Sequence, residues 1–223
     1  MRNRLYLGAA LTALAAAVLP ALPASADGPA VLTYGSAGGS PAAVGDALTA
    51  SLSPNTAATL YSTAAGGTGV SCASSGFAAT VASNPSAPGT AVETLTSQTF
   101  GNCSAVNIPG VMGVQSVTVD NLSYSNDVSD ATGSPVTLNP TTGPIQTDIV
   151  LQTLLGTVTC SYQASPSSLS GTTSNTDQSI SFNAQPFTLS SGPATCFSAG
   201  YFTAAYGPVT DTSQAGSPSI YVN

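Results

Sequence analysis

The sequence predicts an all-β protein, an antiparallel β-sandwich of the Ig-like or jelly-roll-like kind. From Asp27 onward no stretch keeps an apolar stripe at the 3.6-residue period of a helix for three turns. Apolar and polar residues alternate instead, as with Leu48, Ala50 and Leu52 against Ala47, Thr49 and Ser51. Clusters of Pro, Gly, Asn and Ser cut that alternation into about a dozen short segments.

In chain order, the first element is an export signal. Arg2 and Arg4 give a positive start, residues 5–19 form an apolar run, and Ala24-Ser25-Ala26 supplies the small residues that a signal peptidase needs. The expected products are a signal peptide, 1–26, and a secreted extracellular region, 27–223, with 27–132 and 133–223 as candidate halves. Residues 31–34 read as a first strand, 47–52 and 58–62 as a pair around the turn Ser53-Pro54-Asn55. Phe77, Ala79 and Val81 share one face, and Asn84-Pro85 and Pro88-Gly89 turn the chain toward a strand over 92–100. Val117 and Val119 lie out of phase with Leu122 and Tyr124, which places a bulge or a change of sheet near Asp120. Residues 135–138 form another strand. The longest apolar stretch, 148–162, reads as a buried central strand because β-branched residues and Gly156 oppose a helix. Strands over 179–189, 200–206 and 219–222 complete the set, the last one paired because an exposed apolar edge invites aggregation.

A grammar recurs along the chain. Gly67-Thr68-Gly69-Val70-Ser71-Cys72, Ser83-Asn84, Gln98-Thr99-Phe100 and Cys103 are followed later by Gly156-Thr157-Val158-Thr159-Cys160, Ser174-Asn175, Gln185-Pro186-Phe187 and Cys196. Four cysteines in an exported chain imply two disulfides, and four cysteines allow three pairings. The repeat selects Cys72 with Cys103 and Cys160 with Cys196, giving two similar disulfide-stapled halves.

Charge excludes whole classes of function. Arg2 and Arg4 are the only Lys or Arg, His is absent, and all nine carboxylates lie at Asp27 or beyond. The acidic region after the signal cannot neutralise phosphates, so nucleic acid is not expected as a partner. An anionic membrane surface would repel it. No Lys or His is present to activate a Ser, Thr or Cys nucleophile, so serine- or cysteine-type hydrolysis is not expected. Asp211-Thr212-Ser213 is similar to the Asp-Thr-Gly of aspartic proteases, but Ser213 replaces the glycine and no second copy supplies a partner carboxylate.

Glu93 is the only glutamate and shares a strand face with Leu95, where a rim or exposed position is expected. A carboxylate-based glycosidase would need a second carboxylate across from it. Asp120, Asp127 and Asp130, interleaved with Asn121 and Asn126, are candidate calcium ligands, since calcium takes oxygen ligands from loops. No other cofactor is expected. Tyr34, Tyr61, Tyr124, Tyr162, Tyr201, Phe202 and Tyr206 read as sheet packing ahead of a ligand cleft.

Residues 83–91, 95–100, 154–160 and 207–213 together resemble exported proteins of filamentous actinobacteria. That resemblance implies export and assigns no site. The expected function is a non-catalytic secreted β-sandwich protein, a structural or binding component of the extracellular surface, with a cell-surface or small-molecule ligand. The alternative is a secreted carrier of an apolar small molecule, and the third reading is the glycosidase.

Overall fold

The computed structural model describes residues 28–223; the expected signal peptide lies outside them. The described residues hold sixteen strands and no helix. In chain order these are β1 (Leu32–Tyr34), β2 (Ser40–Pro41), β3 (Ala47–Ser51), β4 (Ala58–Tyr61), β5 (Gly69–Ser83), β6 (Thr90–Val106), β7 (Val111–Asp120) and β8 (Tyr124–Ser129). There follow β9 (Pro135–Pro140), β10 (Gln146–Thr153), β11 (Gly156–Ala164), β12 (Leu169–Ser174), β13 (Ser179–Ser191), β14 (Ala199–Tyr206), β15 (Thr210–Asp211) and β16 (Ile220–Val222).

The all-β, antiparallel expectation holds, but the strands do not stack as two sheets. β12, β9, β8, β6, β5, β4, β14 and β13 pair in succession, and β13 returns to β12. Eight strands therefore close into a barrel, which corrects the sandwich expectation. Alternation is the same for either architecture; the difference lies in β12, which pairs with β9 on one side and β13 on the other. Closure leaves these strands without an open edge.

The barrel draws β4, β5, β6 and β8 from residues 27–132 and β9, β12, β13 and β14 from residues 133–223. Beyond it, β11, β10 and β7 continue the sheet from β13 as a wing, and β7 returns alongside β6. The repeated grammar has a structural counterpart. β4 and β3 lie end to end along β5, which pairs with β6. In the same way β10 and β9 lie along β11 and β12, and both of these pair with β13. The later copy is interrupted at residues 165–168, where the single strand of the first copy becomes two.

Both disulfides join the expected partners. Cys72 and Cys103 face each other across β5 and β6, and Cys160 on β11 reaches Cys196 ahead of β14. The chain's last strand is paired, as expected: β16 joins β1 and β2 in a small separate sheet. Two residues of the repeat hold that sheet. Asn84 donates to Leu32 O and Ala42 O and accepts from Leu32 N; Asn175 accepts from Val222 N and donates to Val222 O. Leu32 and Val222 are themselves register partners, so the two asparagines grip one rung from both sides.

Two expectations need correction. Residues 148–162 are not one central strand but the two arms of the β10–β11 hairpin, with Leu154 and Leu155 exposed at its tip. Neither leucine has positive φ whereas Gly156 does (119°), the pattern of a turn closed by a glycine bulge. Thr153 Oγ1 fixes the turn by donating to Gly156 O and accepting from Leu155 N. Near Asp120 the phase change is a strand end: β7 stops, Asn121 takes φ 58°, and β8 starts at Tyr124.

Candidate functional site

The barrel interior is built by the inward residues of alternating strands. Along β8, Tyr124, Asn126 and Val128 are buried while Ser125, Asp127 and Ser129 lie on the other face. Along β6, Ala91, Glu93 and Leu95 are buried. The interior is not completely filled: a cavity of about 100 Å³ remains. Its lining is mostly apolar, with residues of β7 and β10 joining those of the barrel.

Phenylalanines cluster on its wall. Phe202 on β14 meets Phe100 at 6.3 Å, and Phe182 and Phe187 at 6.4 Å each, between ring centroids. Phe100 and Phe187 are the equivalent residues of the two Gln-x-Phe repeats, so the repeat converges on one ring. The sequence favoured packing for the aromatics, and this cluster packs while also bounding the cavity. Tyr201, next in chain to Phe202, is outside the lining.

The polar groups on the wall differ in how fully they are satisfied. Ser75, Gln98 and Tyr206 form a closed triangle. Ser75 Oγ donates to Thr99 O at 2.7 Å, which leaves the Tyr206 hydroxyl to donate to Ser75 Oγ at 3.0 Å. Gln98 Nε2 then donates to Ser75 Oγ at 2.9 Å and to Tyr206 Oη at 3.0 Å. Burial pushes the Tyr206 phenol up to about 12.

Glu93 is different. The expectation of a rim position is overturned: its side chain lies on the inward face of β6 and is 3% exposed. Asn126, its register partner on β8, donates through Nδ2 to Oε2 at 2.8 Å, the only hydrogen bond to this carboxyl among the described residues. Burial raises its pKa to about 7, against a smaller opposing effect of the Asn126 bond. Glu93 also borders the space beneath the small sheet, among Leu32, Ile220 and Val222. Among the described residues it is the only carboxylate lining the cavity, and no second acid of a glycosidase pair stands beside it.

The candidate calcium ligands do not converge. Asp120 accepts from Gln146 Nε2, Asp127 from Ser125 Oγ and Asn139 Nδ2, and Asp130 from Gly89 N. Among the described residues no group of three or more acidic, His or Cys side chains is placed to hold a metal ion.

Asp211 does have a carboxylate neighbour, though not from a second copy of its motif. Asp46, at the turn before β3, faces it; burial first, and then the Asp46 charge, push the Asp211 carboxyl up. Asp211 is fully buried and accepts from Ser213 N, while Asp46 accepts from Ala43 N and Gln214 Nε2. Both are nearly sealed from solvent, so the pair can share a proton but offers no cleft. Asp46 escaped the sequence reading because its partner lies 165 positions away in the chain.

Comparison with protein-family models, curated proteins and solved structures gave no match.

Proposed function

We propose that this is an exported, non-catalytic binding protein that carries a small apolar molecule inside its barrel. The observation that carries the reading is the closed barrel whose phenylalanine-lined interior keeps an open cavity with one incompletely satisfied carboxyl in its wall. Eight-stranded barrels are just wide enough to be filled by side chains or to hold one small ligand. A core built for stability alone would close such a space, since each unfilled volume sacrifices packing. A dry engineered cavity of about 150 Å³ takes up benzene; the space here is about two-thirds of that, so a single ring enters only as the lining side chains give way.

Export through residues 1–26 fits the reading. The two disulfides point to an oxidising, extracellular environment. The barrel's polarity is the reverse of a membrane-spanning one: Ser125, Asp127, Ser129, Ser170 and Thr172 lie outside and the apolar residues inside. A structural role at the cell surface accounts for the staples but gives no reason for the cavity.

Native mass spectrometry of protein isolated from culture fluid tests the proposal. A co-purifying small molecule, displaced by toluene, is expected. Protein that leaves the culture empty and also fails to bind toluene would reject the carrier reading.

A further inference from the structure

We propose that the molecule carried is an apolar amine, bound as its ammonium ion against the Glu93 carboxylate. The inference rests on the carrier reading above and narrows the ligand's chemistry.

The argument starts from what can neutralise a buried carboxylate. A charge taken out of water is costly unless it is paired. In most proteins Lys, Arg or His provides the partner; this chain has none of them beyond Arg4. Asn126 supplies a single neutral donor to Oε2. A neutral donor can add a hydrogen bond to the carboxyl, but only a proton or a cation from outside removes its charge. Glu93 borders the cavity, so a ligand held among the phenylalanines can reach it.

The other titratable groups on the cavity wall do not compete. Tyr206 is satisfied by Ser75 and Gln98. Tyr124 donates to Asp120 O and accepts from Gln146 N. These two phenols are the other titratable groups lining the cavity, and burial raises the pKa of both, so each stays neutral. Among the described residues no titratable group besides Glu93 borders the space toward the small sheet.

The rest of the molecule agrees in sign. After the expected signal peptide, eight carboxylates besides Glu93 stand without a cationic side chain, and their negative field concentrates cations and disfavours anions at any entrance. Phenylalanine faces add a favourable environment for an ammonium group or for the methylenes next to it. Because the carboxylate is already fixed by folding, a ligand contributes mainly the cost of its own desolvation.

Protonation of Glu93 opposes such a ligand. Ammonium binding should therefore be strongest above pH 7 and weaken about tenfold for each pH unit below it, where every bound cation must displace a proton. Neutral ligands should show no such dependence.

The test compares benzylamine, benzyl alcohol, phenylacetate and toluene by ligand-observed NMR and calorimetry, from pH 8.5 down to pH 5. Benzylamine should bind at least tenfold tighter than benzyl alcohol at pH 8, lose affinity toward acid, and leave phenylacetate as the weakest. In Glu93→Gln the ratio of amine to alcohol affinity should fall to about one, and the pH dependence should vanish. If that variant does not fold, the charge series and pH series on the unaltered protein decide alone. Toluene and benzyl alcohol binding as tightly as benzylamine at every pH would overturn the amine assignment and leave the carrier reading standing. Failure of all four probes would overturn both.

Discussion

Tyr162 buries its hydroxyl beside the Phe197 backbone without a well-formed hydrogen bond, while its ring stacks on Phe197 at 4.8 Å. An unsatisfied buried polar atom costs about 1–3 kcal/mol. Tyr162→Phe keeps the stacked ring and removes that cost, so urea denaturation should show a variant more stable by about 1 kcal/mol; a loss of stability would mean that the hydroxyl has a partner. Glu93 carries the opposite lesson about legibility. Its phase with Leu95 was plain from the sequence, which fixed the face but not whether that face is inside. Register placed Asn126 opposite, and closure of the barrel buried both.

At the scale of elements, the repeated Ser-Asn pairs are the clearest case of a pattern whose meaning needed coordinates. Spacing marked Asn84 and Asn175 as equivalent, yet their targets, Leu32 and Val222, lie at opposite ends of the chain. Asn84→Ala or Asn175→Ala should each cost roughly 1–3 kcal/mol through the stranded backbone groups of β1 or β16. Hydrogen exchange should show faster opening of the small sheet in either variant, with the barrel amides little changed. Gly69 shows another constraint at an element's start. It opens β5 at φ 152°, and a Cβ there would sit 2.1 Å from Leu60 O. Gly69→Ala should therefore cost more than about 1 kcal/mol and loosen the β4–β5 pairing, measurable as a lowered denaturation midpoint. The β10–β11 hairpin was misread as one strand because Leu154 and Leu155 are apolar; a turn normally announces itself by polar residues, and here Gly156 alone did so.

For the whole molecule, acid should stabilise. Glu93 binds its proton with a folded pKa of about 7 against an ordinary 4.5, so between those values the folded state holds more protons than the unfolded one. Stability then falls as pH rises through that window, by roughly 3 kcal/mol for a fully realised shift. Asp211, also raised, acts in the same direction above its ordinary 3.8. Asp177 is lowered by hydrogen bonds from Ser174 and Ser179 and acts oppositely, but it is fully exposed and its effect is screened. Unfolding midpoints measured between pH 5 and pH 8 should be highest at the acid end, and Glu93→Gln should flatten most of the slope. A midpoint that rises with pH would contradict these assignments. The disulfides close loops with sequence separations of 31 and 36, each contributing about 4 kcal/mol on the chain-entropy view, so Cys160→Ser with Cys196→Ser should lower the denaturation midpoint markedly.

Strand content, antiparallel pairing, the two disulfide partners and the lack of any cationic side chain beyond Arg4 were all determined by local information: residue alternation, turn composition, a repeated spacing and a count of charges. Such features depend on near neighbours or on composition, so they survive without coordinates. The tertiary structure decided the rest. Alternation assigns residues to two faces but does not say whether a sheet stacks on another or closes on itself. That depended on β12 pairing with both β9 and β13, contacts between distant parts of the chain. Closure in turn made one face of β6 an interior, and with it turned Glu93 from an unremarkable strand residue into the one carboxylate on the wall of an apolar cavity.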